Sequence, residues 1–188
     1  MDLKFRQRYF FYKNNWFLFT IFDYYLNKIK MQKIVRIATA VTTCMIIGYL
    51  SGMVTRESIT TWYPTLVKPV FNPPNWIFAP VWSLLYVMMG VAGGLVWNRL
   101  EADEANVKSA FKLFIGQLAL NAFWSYLFFG LHNPLLALVE ILLLWLLIFE
   151  TYTKFKTIDR MAAMLLLPYL AWVSFATVLN ASIWWLNK

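Results

Sequence analysis

The sequence predicts an all-α membrane protein, a bundle of five transmembrane helices, and three observations predict it. The first is composition. Of 188 residues, 61% are hydrophobic and only 14% charged, and the mean hydropathy is +0.56, so no fold of this chain presents a polar enough surface to water. The second is the length of the apolar windows at 37–54, 76–97, 113–131, 135–152 and 161–185, each close to the ~20 residues a helix needs to cross a ~30 Å hydrocarbon core. The third is the lack of two-residue alternation, which removes the closed barrel, the other structure that satisfies its backbone in lipid.

Basic residues sort across these five windows as a cytoplasmic N-terminus requires. That side collects Lys4, Arg6, Arg8, Lys13, Lys28, Lys30, Lys33, Arg36, Arg99, Lys108, Lys112, Lys154, Lys156 and Arg160, while the other holds Arg56, Lys68 and Lys188. The formal charge of +8 is then topology plus attraction to anionic headgroups. Membrane lipids are the expected partners, and nothing resembles a nucleic-acid footprint.

Taken in order, residues 1–33 form a basic, aromatic extension, either an interfacial anchor or an addition without a function of its own. Its apolar run 16–22 is too short to span and lacks a small-residue cleavage site. Met31 opens "MQKIVRIATAV", a short basic flank and then a helix, and residues 34–188 form the single five-helix domain. The first span carries Gly48 and Gly52, a small-xxx-small surface. Between it and the second span lie five of the seven prolines, from Pro64 to Pro80, interleaved with Trp62, Trp76 and Trp82. Proline fixes φ and lacks an N–H donor, so Pro69, Pro73 and Pro74 hold a stiff extended lid at the bundle mouth, and Pro80 falls about one turn into the second span.

The third span places Gln117, Asn121 and Trp124 on one face at i, i+4 and i+7, and the fifth repeats this with Trp172, Ala176 and Asn180. Glu140 lies inside the fourth. Polar groups in a span face the bundle interior or a cavity, as interhelical staples or as ligand anchors. Trp97, Trp184 and Trp185 sit at span ends like belt residues, whereas Trp82, Trp124 and Trp172 sit within spans. Inward tryptophans beside the small Ala176 line a flat-walled pocket suited to a large, planar, mostly apolar ligand.

Other chemistry has little to build on. Cys44 is the single cysteine and lies in the first span, which reads as a buried inert thiol. His132, the single histidine, sits in the turn "GLHNP" as a polar loop residue. One His, one Cys and scattered carboxylates make no metal site, and no nucleotide motif, nucleophile elbow or carboxylate pair is present.

The strings "WYPTLVKPVFNPPNWIFAPVWSLLYVMMG", "GQLALNAFWSYLFFG", "ALVE" and "LLPYLAWVSFATVLN", in this order over residues 34–187, resemble the translocator protein family, also called TspO/MBR or tryptophan-rich sensory proteins. The resemblance implies a five-helix bundle, usually dimeric, with a pocket closed by the long loop after the first helix. It implies porphyrin-type ligands, protoporphyrin IX or heme, with no required cofactor and no metal. Carried over, the ligand-binding residues are Pro73, Pro74, Trp76, Phe78, Ala79 and Trp82 from the loop and second helix. The third helix adds Asn121 and Trp124, the fourth Leu136 and Glu140, and the fifth Trp172, Phe175, Ala176 and Leu179. Phe71 and Leu136 replace tryptophans of animal members, the fifth helix lacks their cholesterol pattern, and the family's Gly-xxx-Gly dimer motif is here Lys112-xxx-Gly116.

Three functions fit. The first is a stress-linked tetrapyrrole sensor, scavenger or translocator in a bacterial cell membrane, with Lys68 and Arg56 near the pocket mouth to meet propionates. The second is a light- and oxygen-dependent porphyrin-degrading enzyme using Trp82 and Trp172 as catalytic residues. The third is an active carrier, which the odd number of spans and the absence of internal repeats disfavour.

Overall fold

The computed structural model describes the backbone from Leu3 and the side chains from Tyr24 to Lys188. Five helices make up the fold: α1 Leu3–Ser58, α2 Asn75–Trp97, α3 Glu104–Ser125, α4 Pro134–Ile158 and α5 Arg160–Leu186. A 3-10 turn, Tyr63–Thr65, lies in the loop after α1, and a π-helical turn, Tyr126–Gly130, extends α3. The segments Tyr24–Ser58, Asn75–Trp97, Glu104–Gly130, Pro134–Ile158 and Arg160–Leu186 are each long and apolar enough to cross a membrane. No strand occurs among the described residues. The chain is therefore an integral, multi-pass membrane protein.

Two units divide the chain, the first ending at Val35 and the second running from Arg36 to Lys188. In the first, residues 24–35 are exposed helix, so the helix begins well before the span expected at 37–54. The expectation of an anchor or extension at 1–33 falls largely outside the described residues. All that follows concerns the second unit.

Short turns with side-chain caps join the later helices. Asp103 accepts from the backbone N–H of Asn106 at the start of α3, Asn133 from Leu136 at the start of α4, and Asp159 from Ala162 at the start of α5. These are the small polar residues that satisfy orphan N–H groups, and Pro134 at the first position of α4 has no N–H to satisfy. Asp159 also binds Arg99 at 3.0 Å, tying the α2–α3 turn to the α4–α5 turn. Nearby, the Arg36 guanidinium bonds both carboxylate oxygens of Glu101, which holds that carboxyl down at about 2.

Helix neighbours run α2–α5–α4–α3, with α3 returning to α2, and α1 lies along α2. That last contact depends on glycine. A Cβ on Gly90 would overlap the backbone of Val41, and one on Gly94 would overlap that of Ile37. Gly90 and Gly94 thus form a Gly-xxx-Gly face that admits α1 at backbone distance, while Gly93 faces the ring of Phe114 on α3. This corrects the reading of Gly48 and Gly52 as one free small-residue surface. Gly48 is filled by the ring of Tyr86 from within the chain, and only Gly52 is open.

The core between the helices is apolar, with Met89, Ala92, Val96, Ile141, Leu144, Ile148 and Leu166 among its buried members. One polar knot crosses it. The Tyr86 hydroxyl donates to Asn121 Oδ1 at 2.5 Å, and Asn121 Nδ2 donates to the Tyr169 hydroxyl at 2.8 Å. This joins α2, α3 and α5 through one side chain with both ends satisfied.

Candidate functional site

The loop at 59–74 is held by more than its prolines. Tyr63 is buried, and its hydroxyl donates to Asn72 Oδ1 at 2.6 Å. Burial pushes that phenol up to about 12, against the opposing pull of the Asn72 bond. The Asn187 side chain, just beyond α5, accepts from Val67 N at 2.9 Å and donates to Val67 O at 2.9 Å, which imitates one rung of a β-ladder. The Lys68 ammonium bonds the carbonyls of Pro64 and Leu66 and lies 4.9 Å from the centre of the Tyr63 ring. Lys68, expected at the pocket mouth, is thus turned onto its own loop.

A second clasp fixes the start of the loop. Ser58 Oγ donates to the Phe129 carbonyl at 2.5 Å and lies 3.0 Å from His132 Nε2. With its hydrogen given to the carbonyl, Ser58 accepts here, which assigns the proton to Nε2. The imidazole stacks on Trp62 with ring centres 4.3 Å apart and an interplanar angle of 16°. His132 has φ 51, a left-handed conformation uncommon for a non-glycine residue. A residue expected to be a bland turn histidine is a latch.

The π turn sets the rings beneath that clasp. The Leu131 N–H bonds the Tyr126 carbonyl at 2.8 Å, five residues back, and the extra residue turns Phe128 and Phe129 inward. Phe128 stacks on Trp124 at 5.1 Å and meets Trp62 and Tyr63 at 5.6 and 6.3 Å.

Between the loop and the bundle core runs a continuous aromatic wall. Phe71 meets Phe175 at 6.3 Å, Phe175 meets Trp172 at 5.5 Å, and Trp172 meets Phe78 at 6.1 Å. Trp172 also stands edge-on to Trp82, 6.4 Å away at 88°, and Trp82 continues to Tyr169 at 6.3 Å and Tyr86 at 5.9 Å. T-shaped pairs of this kind each contribute about 0.5–1.5 kcal/mol beyond burial.

Polar atoms along this wall fall into two sets. Asn121 is engaged at both ends, and Trp124 Nε1 donates to Asn180 Oδ1 at 3.1 Å, whose Nδ2 in turn donates to the Pro134 carbonyl at 2.8 Å. Trp172 Nε1, Gln117 Oε1 and both oxygens of Glu140 are buried with no hydrogen-bond partner among the described residues. The first set staples the bundle; the second makes no such bond among the described residues.

Of the sequence-derived residues, the structure gathers Phe78, Trp82, Trp124, Trp172, Phe175, Ala176 and Leu179 into two overlapping clusters that share Trp124. Glu140 is buried, and Pro73 is half-buried at the loop end. Trp76, Pro74, Ala79 and Leu136 are exposed, Trp76 at 73%, so they stand outside the wall. Pro80 is the sixth residue of α2, deeper than the N-terminal positions where proline replaces an orphan N–H. The sequence reading passed over Tyr86 and Tyr169 as wall residues, although each lies one helical turn from a pocket tryptophan. It noted Phe71 only as a substitution and gave no sign of the Tyr63–Asn72 bond.

The family model described as TspO/MBR matches residues 40–186. The chain is 41% identical over 160 residues to the tryptophan-rich protein TspO of Chlorobaculum tepidum, covering 83% of this chain and 98% of that one. It is 39% identical over 156 residues to the TspO of Archaeoglobus fulgidus, with 83% and 99% covered. To the translocator protein of Bos taurus it is 39% identical over 141 residues, with 75% and 83% covered.

Proposed function

This chain belongs to the TspO/MBR family of integral membrane proteins, and we propose that it binds planar tetrapyrroles such as protoporphyrin IX or heme, as a sensor, scavenger or translocator. The observation that carries this reading is the wall of Phe78, Trp82, Trp172 and Phe175, which ends on buried polar atoms that have no partner among the described residues. Ring faces stack a flat macrocycle, and the Trp172 N–H gives it one fixed hydrogen bond. The loop at 59–74, clasped at Ser58–His132 and Val67–Asn187, covers the site. The chain would lie in a bacterial cell membrane with its N-terminus in the cytoplasm, following its basic residues. On that orientation, a membrane-impermeant amine reagent applied to intact cells labels Lys188 and spares Lys156.

Purification from porphyrin-producing cells tests the binding reading. Wild-type protein should carry an absorbance band near 400 nm (roughly, the usual Soret region of a tetrapyrrole) that Trp82→Ala plus Trp172→Ala removes. Wild-type protein that emerges colourless while free porphyrin is abundant counts against it.

One observation favours a second reading, light-driven porphyrin breakdown by dioxygen. Trp172, Trp82 and Tyr169 form an unbroken run of oxidisable rings with centres within 6.4 Å of each other in sequence, a route for an electron to refill an oxidised ring at the pocket. Illuminated porphyrin should then bleach faster with wild-type protein than with detergent alone, and phenylalanine at positions 82 and 172 should abolish the difference. Equal bleaching in all three samples removes this reading.

A further inference from the structure

Glu140 is the one buried carboxylate among the described residues, 5% exposed, and neither of its oxygens has a partner there. It lies on the same face of α4 as Ala137, Ile141 and Leu144. Ala137 packs in the cluster of Phe128, Leu179, Phe175 and Trp124, while Ile141 and Leu144 pack in the cluster of Tyr169, Trp82 and Trp172. The carboxyl is therefore directed into the protein where the two aromatic clusters meet. A charged group in such a place is costly, and so is a neutral one that bonds to nothing. Truncating it would remove that cost, so something other than folding accounts for an acid here.

We propose that Glu140 selects the ligand by sharing a proton with a nitrogen at its centre, so that the pocket prefers metal-free tetrapyrroles to metallated ones. The inference rests on the tetrapyrrole reading above. The peripheral groups of such a ligand are charged carboxylates, which are costly to take out of water and so stay at the wet rim of the site, away from a buried residue. What remains polar is the nitrogen core, two N–H donors and two imine-type nitrogens. In the bound state the proton of the neutral Glu140 carboxyl passes from oxygen to an imine-type nitrogen, and the carboxylate so formed accepts from the new N–H. No electrons are transferred, and the pair becomes a charge-assisted hydrogen bond in a dry site. A ring that holds a metal has no free nitrogen lone pair and no N–H, so it cannot make this exchange.

The test compares the full chain in detergent as wild type, Glu140→Gln and Glu140→Leu. Each is titrated with protoporphyrin IX, with its copper(II) complex, which has the same periphery and little axial affinity, and with its ferric complex. Affinity and the visible spectrum, which reports protonation of ring nitrogens, are read together. Wild type should bind the metal-free ring about tenfold tighter than the copper ring and shift its visible bands. Glu140→Leu should bind the two rings equally, and Glu140→Gln, whose side chain has no acidic proton to pass on, should lose the spectral shift. Glu140→Leu should melt at or above the wild-type temperature, since it removes a buried unpaired acid. Equal wild-type affinity for both rings, unaltered by Glu140→Leu, overturns the role of Glu140 and leaves the tetrapyrrole site standing. A loss confined to the ferric ring makes Glu140 an iron ligand and also overturns it. Failure of wild type to bind any of the three overturns the tetrapyrrole reading and this inference with it.

Discussion

Two residues of the loop region carry consequences that can be read separately. Tyr63 has its phenol pushed up to about 12 by burial, whereas the unfolded value is about 10. The raised value means that its contribution is complete below about pH 10 and is lost as pH rises through 12. The stability advantage of wild type over Tyr63→Phe should therefore be constant up to pH 10 and vanish by pH 12 in melting curves. A constant advantage across that window contradicts the burial of the phenol. His132 combines a latch with a left-handed backbone. His132→Ala and His132→Gly should both raise hydrogen exchange across 59–74, because both lose the Trp62 stack and the Ser58 bond. The glycine variant should be the more stable of the two by about 1 kcal/mol, since it alone relieves the φ. Unchanged exchange in both variants would mean that the latch does not hold the loop.

Among the elements, α2 stands between α1 and α3 and presents Gly90 and Gly94 to the first and Gly93 to the second. Gly90→Ala would drive a Cβ into the backbone of Val41 and should cost about 1–3 kcal/mol by overpacking. Gly52→Ala, whose Cβ meets no heavy atom within 4 Å, should be neutral. Equal melting temperatures for the two variants would refute the close α1–α2 contact. The elements also show what was legible in the sequence. Hydropathy found the five spans because each helix is set by its own composition, helical spacing placed Trp124 and Trp172 on polar-bearing faces, and position within a span, away from the belt, singled out Trp82. That spacing identifies a face and not a partner. It could not show that Asn121 and Trp124 are engaged by Tyr86, Tyr169 and Asn180 while Trp172 Nε1 and the Glu140 carboxyl make no hydrogen bond among the described residues. The π turn at Tyr126–Gly130 has no local period of its own, and the Val67–Asn187 clamp joins residues 120 positions apart, so neither leaves a trace in a sequence window. Trp76, taken from the family resemblance, is exposed at 73% and lies outside the aromatic wall.

At the scale of the molecule, a stapled bundle, a clasped loop and a wall of aromatic rings converge on one place. The satisfied polar groups, centred on Asn121 and Asn180, hold the helices together. Those with no hydrogen bond among the described residues, Trp172 Nε1, Gln117 Oε1 and the Glu140 carboxyl, mark where the fold keeps costly groups without using them for its own stability. That contrast supports a ligand site more strongly than the abundance of tryptophan does, because tryptophans also serve as belts and packing. The most direct measurement is an equilibrium titration of protoporphyrin IX into purified wild-type protein, Trp172→Phe and Trp172→Ala, followed by quenching of tryptophan emission. The account predicts saturable quenching in wild type, about a fivefold to tenfold weaker affinity when Phe keeps the ring but removes the N–H, and a larger loss when Ala removes the wall. Equal affinity in all three proteins, or no saturable quenching in wild type, would contradict it.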